Sequence, residues 1–289
     1  MVKNGQSGIE PVLFEAPATE DALEVLSLTE LARRMERAGM VRRTERPDFH
    51  LLLHVQRGRL VHTVDFQEYT VDPGAWLWVR PGQVQRFEPL GAVEGAVVLF
   101  QQEYLDRATV TDTHLDDPQG RTLWPVADDT AHAVDLALHH LAVEFQPLPG
   151  ASTARRAILR HLLAVLLLRL TAPQSQLGSP TQDPSEPFRA FRRAVEAHFP
   201  HHREVAHYAR ALGYSPRTLR RATLAAAGVG AKEFIDQRVI LEAKRLLAHE
   251  DDGVGQVATR LGFLDTSNFV KYFAHRTGHT PAAFRAAHR

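Results

Sequence analysis

Alternating hydrophobic and polar residues predict β-structure between Phe49 and Phe100. In Phe49–Gln56 every second residue is a large apolar one, which is the period of two expected of a strand. Arg57-Gly58 supplies a turn, and Arg59–Phe66 alternates again. Two alternating runs around a short glycine-containing turn predict a β-hairpin.

Further short strands follow at regular spacing. The turn sequences Asp72-Pro73-Gly74 and Arg80-Pro81-Gly82 bracket a tryptophan-rich run, Ala75–Val79, and Ala92–Phe100 is a final apolar strand. Several short strands separated by Gly/Pro turns are typical of a small barrel or a double-sheet jelly roll.

After Phe100 the apolar period changes from that of strands to that of helices. Ala131–Phe145 and Ala154–Leu170 each carry one apolar stripe, and a Pro/Gly turn at Gln146–Gly150 joins them into a predicted helical hairpin. The stripes consist of Val134, Leu138, Leu141 and Phe145 in the first helix and of Ile158, Leu162, Val165 and Leu166 in the second. The hairpin packs on the barrel or on a second copy of itself, and its high leucine content favours self-association.

The chain of 289 residues is long enough for two domains, and its charge divides in the same way. Residues 173–187, PQSQLGSPTQDPSEP, are rich in Pro, Ser and Gln and predict a linker. From Phe188 onward there are 17 basic and 9 acidic residues, a net charge of +8, and the preceding part carries −8. We therefore predict domains at 1–172 and 188–289, the second facing a polyanion such as nucleic acid.

Composition excludes several classes of protein. The chain has no cysteine, which rules out disulfide scaffolds, thiolate metal sites and cysteine nucleophiles. No apolar run reaches the roughly 18 residues of a membrane span, and no secretory signal is evident. These observations predict a cytoplasmic protein without a membrane partner.

One pattern occurs twice in the basic part. Ala209 is followed four residues later by Gly213 and then by a new helix at Pro216, and Ala258 is followed in the same way by Gly262 and a helix near Thr266. A small residue lets two helices approach, and glycine takes the conformation that ends the first of them. Ser215 and Asp265 then cap the second helices, Leu219 and Phe269 anchor them, and Lys232–Leu247 forms a helix between the two units. The pattern predicts two helix-turn-helix units.

Val205–Arg285 resembles the DNA-binding domain of the AraC/XylS family of bacterial transcription regulators. The matching stretches are FIDQRVILEAKRLL in the middle helix and GFLDTSNFVKYFAHRTGHTPAAFR in the second unit. The sequence departs from the family at Thr223, where a Phe is usual, and at Gly230-Ala231, where Ser-Pro is usual. These departures predict looser packing in the first helix-turn-helix unit.

The resemblance implies that the second helix of each unit lies in a major groove and reads base edges. Arg can bond guanine with two donors, Asn can bond adenine, and Thr can touch a thymine methyl group. Arg238 also matches a family position, for which we expect an ion pair between helices. The implied DNA-binding residues are Arg217, Arg220 and Arg221 in the first unit and Thr266, Ser267, Asn268 and Lys271 in the second.

The N-terminal strands, with DPGAWLWVRPGQVQRF, resemble the cupin-like effector domain of the same family. Metal-binding cupins usually carry a His where this chain has Gln85, so neither a metal nor another cofactor is expected. A barrel without metal can still hold a small molecule. The residues expected to line such a site are His54, His62, Trp76 and Trp78.

The predicted fold is therefore α+β, with a cupin-like β-barrel, two helices and an all-α domain containing two helix-turn-helix units. The resemblance implies a sequence-specific DNA-binding regulator, an activator that works with RNA polymerase as a homodimer and responds to a small-molecule effector. Two alternatives stay open: a constitutive regulator whose barrel only dimerises, and a metal-free barrel enzyme tethered to DNA. The sequence shows no phosphate-binding loop, nucleophile elbow or zinc-protease helix, and we expect no enzymatic activity.

Overall fold

The computed structural model describes residues 10–12, 22–115, 117, 120–126, 128–146, 153–172 and 185–288. The chain divides into two compact units, one spanning Ile9–Leu177 and the other including Gly178–Arg289. Most of the predicted linker lies outside the described residues, and the first helix of the second unit already begins at Glu186.

The first unit contains two five-stranded sheets, as the jelly-roll prediction requires. The first sheet has the order β1-β3-β8-β5-β6 and the second has the order β10-β7-β4-β9-β2. Their strands are β1 (Glu10–Val12), β2 (Leu23–Ser27), β3 (Thr44–Pro47), β4 (His50–Arg57), β5 (Leu60–Val64), β6 (Gln67–Val71), β7 (Trp76–Val79), β8 (Gln85–Phe87), β9 (Glu94–Phe100) and β10 (Leu123–Trp124).

Strand β4 is buried on both faces, which decides where the core lies. Leu51, Leu53 and Val55 join the apolar cluster that contains Leu60 and Val64 of the other sheet. The alternate residues of β4 face the opposite way, and Leu52 packs in a second cluster with residues of two helices. The first unit is thus a layered structure of sheet, sheet and helices, and the strands β4 and β7 separate its two apolar cores.

The described part of this unit contains four α-helices. They are α1 (Leu28–Ala38), α2 (Arg107–Asp112), α3 (Asp128–Phe145) and α4 (Thr153–Thr171). The helices α3 and α4 pack on each other, and they bury Val134, Leu138 and Leu141 of α3 and Leu159, Leu163, Leu166, Leu167 and Leu170 of α4. The helical hairpin is confirmed.

The predicted apolar stripe of α4 is wrong in part. Leu166 is buried, but Ile158 and Val165 are 44% and 43% exposed. The buried side of α4 is centred on Leu159 and Leu163 instead. Every position of 162–168 is apolar, so the sequence leaves the inward direction of the helix undetermined.

The second unit is all-helical, as predicted. It consists of α5 (Glu186–His198), α6 (Val205–Leu212), α7 (Pro216–Ala227), α8 (Ala231–His249), α9 (Val254–Arg260), α10 (Thr266–Thr277) and α11 (Pro281–His288). The long helix α8 packs against α5 and α7 on one side and against α9, α10 and α11 on the other. Ile235, Val239, Ala243 and Leu247 follow one another at intervals of four along α8, and all of them are fully buried.

Candidate nucleic-acid interface

The turn between α6 and α7 has the geometry that its sequence predicts. Gly213 ends α6 with a φ of 71°, in the left-handed region that favours glycine. The Ser215 hydroxyl accepts a hydrogen bond of 3.0 Å from the backbone N–H of Thr218, and Pro216 occupies the first turn of α7. A terminated helix and a capped helix therefore meet within three residues.

The turn between α9 and α10 repeats this arrangement with different residues. Gly262 has a φ of 69°, directly after the last turn of α9. The Asp265 carboxylate accepts a hydrogen bond of 2.7 Å from the backbone N–H of Ser267. Both helix-turn-helix units predicted from the sequence are confirmed.

One buried anchor in each second helix directs the opposite side outward. Leu219 of α7 and Phe269 of α10 are fully buried. On α7 the exposed side carries Arg217, Arg220 and Arg221, which lie three and four residues apart and so share one helical face. This face presents three guanidinium groups to the surroundings.

The exposed side of α10 is more polar than charged. Thr266, Ser267 and Asn268 occupy its first turn, and Lys271 follows one turn later; all four are exposed. The first turn of a helix has free backbone N–H groups and a partial positive charge, which suit a phosphate oxygen. The side chain of Asn268 adds a donor and an acceptor at the same end of the helix.

The cations of this unit differ in whether a carboxylate pairs with them. Arg238 is buried and binds both oxygens of Glu196 with 2.7 Å hydrogen bonds, so the expected ion pair between helices is confirmed. Similar pairing holds the side chains of Arg189, Arg193, Lys232, Arg245, Arg260 and Arg276. By contrast, Arg217, Arg220, Arg221 and Lys271 have no hydrogen bond or ion pair within the described part of the chain.

Sequence reasoning missed Arg210. It lies in the last turn of α6, is exposed, and likewise makes no hydrogen bond or ion pair with any described residue. Its sequence signal was a lone arginine at the end of the first helix of the unit, a helix that crosses the DNA backbone in the known docking geometry.

The structure separates the four predicted ligand-lining residues of the first unit into two groups. Trp76 and Trp78 pack in the cluster under α3 and α4, and the imidazole of His54 stacks on Trp76 with ring centroids 4.5 Å apart. His62 instead shares a strand face with Leu60 and Val64, which belong to the core between the two sheets. The four side chains therefore do not line one common pocket.

Next to His62 a short polar chain is buried between the sheets. The His62 Nε2 lies 3.1 Å from Gln85 Oε1, and the Gln85 amide donates a hydrogen bond of 3.4 Å to Glu45. Burial lowers the pKa of His62 to about 4, and its hydrogen bond to Gln85 opposes the shift. The His62 Nδ1 has no hydrogen-bond partner among the described residues.

His50 occupies the helix-covered side of the same unit. Its Nδ1 accepts a hydrogen bond of 3.2 Å from the indole N–H of Trp78, and its ring stacks on Phe100. Burial lowers the pKa of His50 to about 3, and the nearby positive charge of Arg80 adds to the shift. This histidine is therefore neutral at physiological pH.

The described residues contain no group of three or more His, Asp or Glu side chains arranged to hold a metal ion. None of their helices combines the length and the apolar character needed to cross a membrane.

Comparison with known proteins matches both units. Residues 32–166 match the model of the AraC-like ligand binding domain, and residues 208–287 match a helix-turn-helix domain model. The HTH-type transcriptional activator RhaS of Escherichia coli O139:H28 is 25% identical over 246 residues, covering 82% of this chain and 85% of RhaS. RhaS of Klebsiella pneumoniae strain 342 is 21% identical over 238 residues, with the same coverage.

The chain belongs to the AraC/XylS family. Among solved structures, ToxT from Vibrio cholerae has a TM-score of 0.44 and 10% identity, covering 91% of this chain and 97% of ToxT. The DNA-binding domain of AdpA, solved in complex with a target DNA, has a TM-score of 0.34 and 30% identity over 36% of this chain and 95% of that domain. As a member of the AraC/XylS family, the protein is a DNA-binding transcription regulator with a ligand-binding domain.

The two departures from the AraC/XylS pattern have distinct structural settings. Thr223 is fully buried, and its hydroxyl donates a hydrogen bond of 2.7 Å to the Leu219 carbonyl, so its polar group is satisfied within α7. Gly230 is the N-cap of α8 and offers no side-chain acceptor there. A Cβ at Gly230 would meet no atom within 4 Å, so the position is open to a serine of the family type.

Proposed function

We propose that the protein is a dimeric activator that reads two successive major grooves through α7 and α10 and responds to a small molecule bound in its first unit. The observation that carries the DNA-binding assignment is the row of exposed, unpartnered arginines on α7. Seven other described cations of this unit pair with a carboxylate, whereas these three guanidinium groups share one exposed face without one. Such a concentration of positive charge is suited to a polyanion. As an activator of transcription it would work in the cytoplasm beside RNA polymerase.

The two helices would contribute differently to recognition. Arg217, Arg220 and Arg221 can each form paired hydrogen bonds with a guanine edge. On α10, Asn268 is suited to adenine, Lys271 to guanine or phosphate, and the short side chains of Thr266 and Ser267 to phosphate or to a bridging water. We therefore predict that α7 reads bases, and that α10 contacts both bases and the phosphate backbone of the DNA.

Selection of binding sites from a random duplex pool tests this function. At near-physiological salt the full-length protein should enrich two short blocks about one helical turn apart, and a dimer should enrich a second such pair. Binding that shows no sequence preference and simply collapses as salt rises would contradict it.

Arg220→Ala should weaken binding to the selected site by about 1–3 kcal/mol, roughly 5- to 150-fold, and relax the preference at one base position. The reason is the loss of a bidentate contact to one base. Arg193→Ala is the matched control, because it removes the same charge from an exposed arginine that is paired with Glu186 on α5. Fluorescence anisotropy with the selected duplex and with duplexes changed at single bases measures the affinity and the base preference of each protein. Equal losses of affinity for Arg220→Ala and Arg193→Ala on every duplex would contradict base reading.

The dimer is proposed on the outer side of α3 and α4. Five apolar side chains there are 40% exposed or more, and Val165 and Leu168 also line a cavity of about 360 Å³ with residues of α3. Apolar groups exposed in such number on one pair of helices mark a contact surface. The five are Leu136, Val143, Ile158, Val165 and Leu168.

Val143→Glu should therefore convert the dimer to a monomer, because it would bury a charge in the interface. Glu103→Gln, at an exposed position outside the two helices, serves as the control. Sedimentation equilibrium measures the mass of both variants. A wild-type protein that is monomeric, or a Val143→Glu variant that stays dimeric, would rule out this surface.

Effector control is supported by the buried chain of His62, Gln85 and Glu45. A histidine nitrogen without a partner, in line with an amide and a carboxylate, can bond the hydroxyl or amide groups of a small ligand. A panel of polyhydroxy and amide compounds should contain one that raises the melting temperature of the first unit. A constitutive regulator would show no such shift with any compound.

A further inference from the structure

The loop between α5 and α6 lies against the turn of the second helix-turn-helix unit. Gly262 is the point of closest approach: a Cβ at this position would come within 2.1 Å of the backbone oxygen of Pro200. Gly262 also has a φ of 69°. A side chain is therefore excluded at Gly262 twice, once by its own backbone conformation and once by the neighbouring loop.

Arg203 reaches from this loop into the same turn. Its guanidinium donates a hydrogen bond to the carbonyl of Leu261, the residue that follows α9. The guanidinium carbon lies 3.4 Å from the centre of the Phe263 ring, which makes a close cation–π contact. A planar cation thus satisfies a helix-terminal carbonyl and covers an aromatic ring at once.

The loop is also held by the first helix-turn-helix unit and by α5. The hydroxyl of Tyr208 in α6 donates a hydrogen bond of 2.7 Å to the carbonyl of His202, and Tyr208 is fully buried. Its ring packs edge-on against Phe191 of α5 at 5.6 Å. The residue before Arg203 is therefore fixed to the α5–α6 core, and Arg203 itself to the α9–α10 turn.

The two helix-turn-helix units otherwise meet mainly through α8. The α5–α7 group packs on one part of this helix and the α9–α11 group on another. A single helix between two bodies allows rotation about its axis and bending along it. A second connection, from the α5–α6 loop to the α9–α10 turn, restrains both motions.

We propose that Arg203, Pro200 and Gly262 form a brace that fixes the separation and relative rotation of α7 and α10. The brace thereby sets the spacing between the two DNA blocks that the protein accepts, and Arg203 is a positioning residue rather than a base-reading one. This inference rests on the proposed function, in which both helices read DNA.

Spacing tolerance is the first test. Full-length wild-type protein, Arg203→Ala and Arg203→Lys are titrated against duplexes carrying the two selected blocks with one or two base pairs added or removed between them. One base pair moves the second block by about 3.4 Å and roughly 35°. Wild type should lose tenfold or more in affinity for each altered duplex, and both variants should lose about threefold or less relative to their own affinity for the original spacing.

The lysine variant separates geometry from charge. Arg203→Lys keeps the positive charge but lacks the flat guanidinium, so a brace predicts that it behaves like Arg203→Ala. Variants that are folded by circular dichroism and retain the tenfold penalty would overturn the inference. So would a uniform loss of affinity on all duplexes, which would instead assign Arg203 to the phosphate backbone. Wild-type protein without any preference for the two blocks would contradict the proposed function.

A distance measurement tests the brace without DNA. Because the chain contains no cysteine, Arg217→Cys together with Lys271→Cys gives two unique sites for spin labels on α7 and α10. Electron–electron resonance should give one narrow distance distribution in the otherwise unchanged protein and a broader or displaced one after Arg203→Ala. Gly262→Ala should have the same effect, because its methyl group would push the turn away from Pro200. Identical distributions in all three proteins would overturn the inference.

Discussion

Acidification from pH 6.5 to about pH 4.5 should strongly destabilise the first unit. His50 and His62 are buried and neutral, with pKa values lowered to about 3 and about 4. The unfolded chain takes up protons near pH 6.5, so stability is complete above that pH and falls as the pH drops toward the folded-state values. Each histidine should lower the free energy of unfolding by about 1.4 kcal/mol per pH unit in this window.

The effect is large against the total stability of a domain. Over two pH units the two histidines together amount to roughly 5 kcal/mol, compared with about 5–15 kcal/mol for a typical domain. His54 adds in the same direction, because burial lowers its pKa and the nearby Asp135 only partly opposes this. Urea unfolding followed by tryptophan emission measures the effect selectively, since all three tryptophans lie in the first unit.

His62→Gln provides the control for this prediction. It replaces one titrating group by a neutral amide of similar reach, and the slope of unfolding free energy against pH should fall by about 1.4 kcal/mol per unit. A wild-type slope near zero between pH 6.5 and pH 4.5 would show that these imidazoles are hydrated and not buried as described.

Arg238→Ala should destabilise the second unit by about 3–5 kcal/mol. Arg238 is 5% exposed; it binds both oxygens of Glu196 and one oxygen of Glu242, and its guanidinium lies 3.9 Å from the centre of the Phe199 ring. Its removal leaves two carboxylates near each other without their shared cation and opens the contact between α5 and α8. Urea unfolding followed by helical circular dichroism measures the loss.

A double-mutant cycle isolates the pair. Arg238→Met together with Glu196→Gln should recover part of the stability that either single change removes, because the double variant leaves neither partner charged and alone. Losses that simply add would show that Arg238 contributes through packing on Phe199 and not through its ion pair.

The helix-turn-helix units could be predicted from sequence because their rules are local. A left-handed glycine and a capping residue within three positions specify the turns at Gly213 and Gly262 almost without regard to the rest of the chain. The ion pair of Arg238 was also foreseeable, since an arginine in the middle of an apolar helix requires a partner.

In the first unit, local sequence patterns do not determine how the strands pack. Alternation assigns Leu51 and Leu52 to opposite faces of β4, but both faces are buried, so the pattern does not say which faces the second sheet and which the helices. Alternation likewise does not distinguish His62 of β5, which shares a face with core residues between the sheets, from Trp76 and Trp78, which pack under the helices. Similarly, no periodicity reveals Arg203, because its partners lie about 60 residues away along the chain.

The division of the arginines into paired and unpaired groups has a consequence for genetic screens. Loss of promoter activity would be scored alike for changes at Arg217 or Arg220, which face outward, and at Arg238 or Arg276, which hold helices together. The two classes should differ in cellular abundance: the inward-facing class would be depleted by proteolysis, and the outward-facing class would accumulate normally. Immunoblotting of each mutant would therefore distinguish the changes that affect the outward-facing surface from those that destabilise the fold.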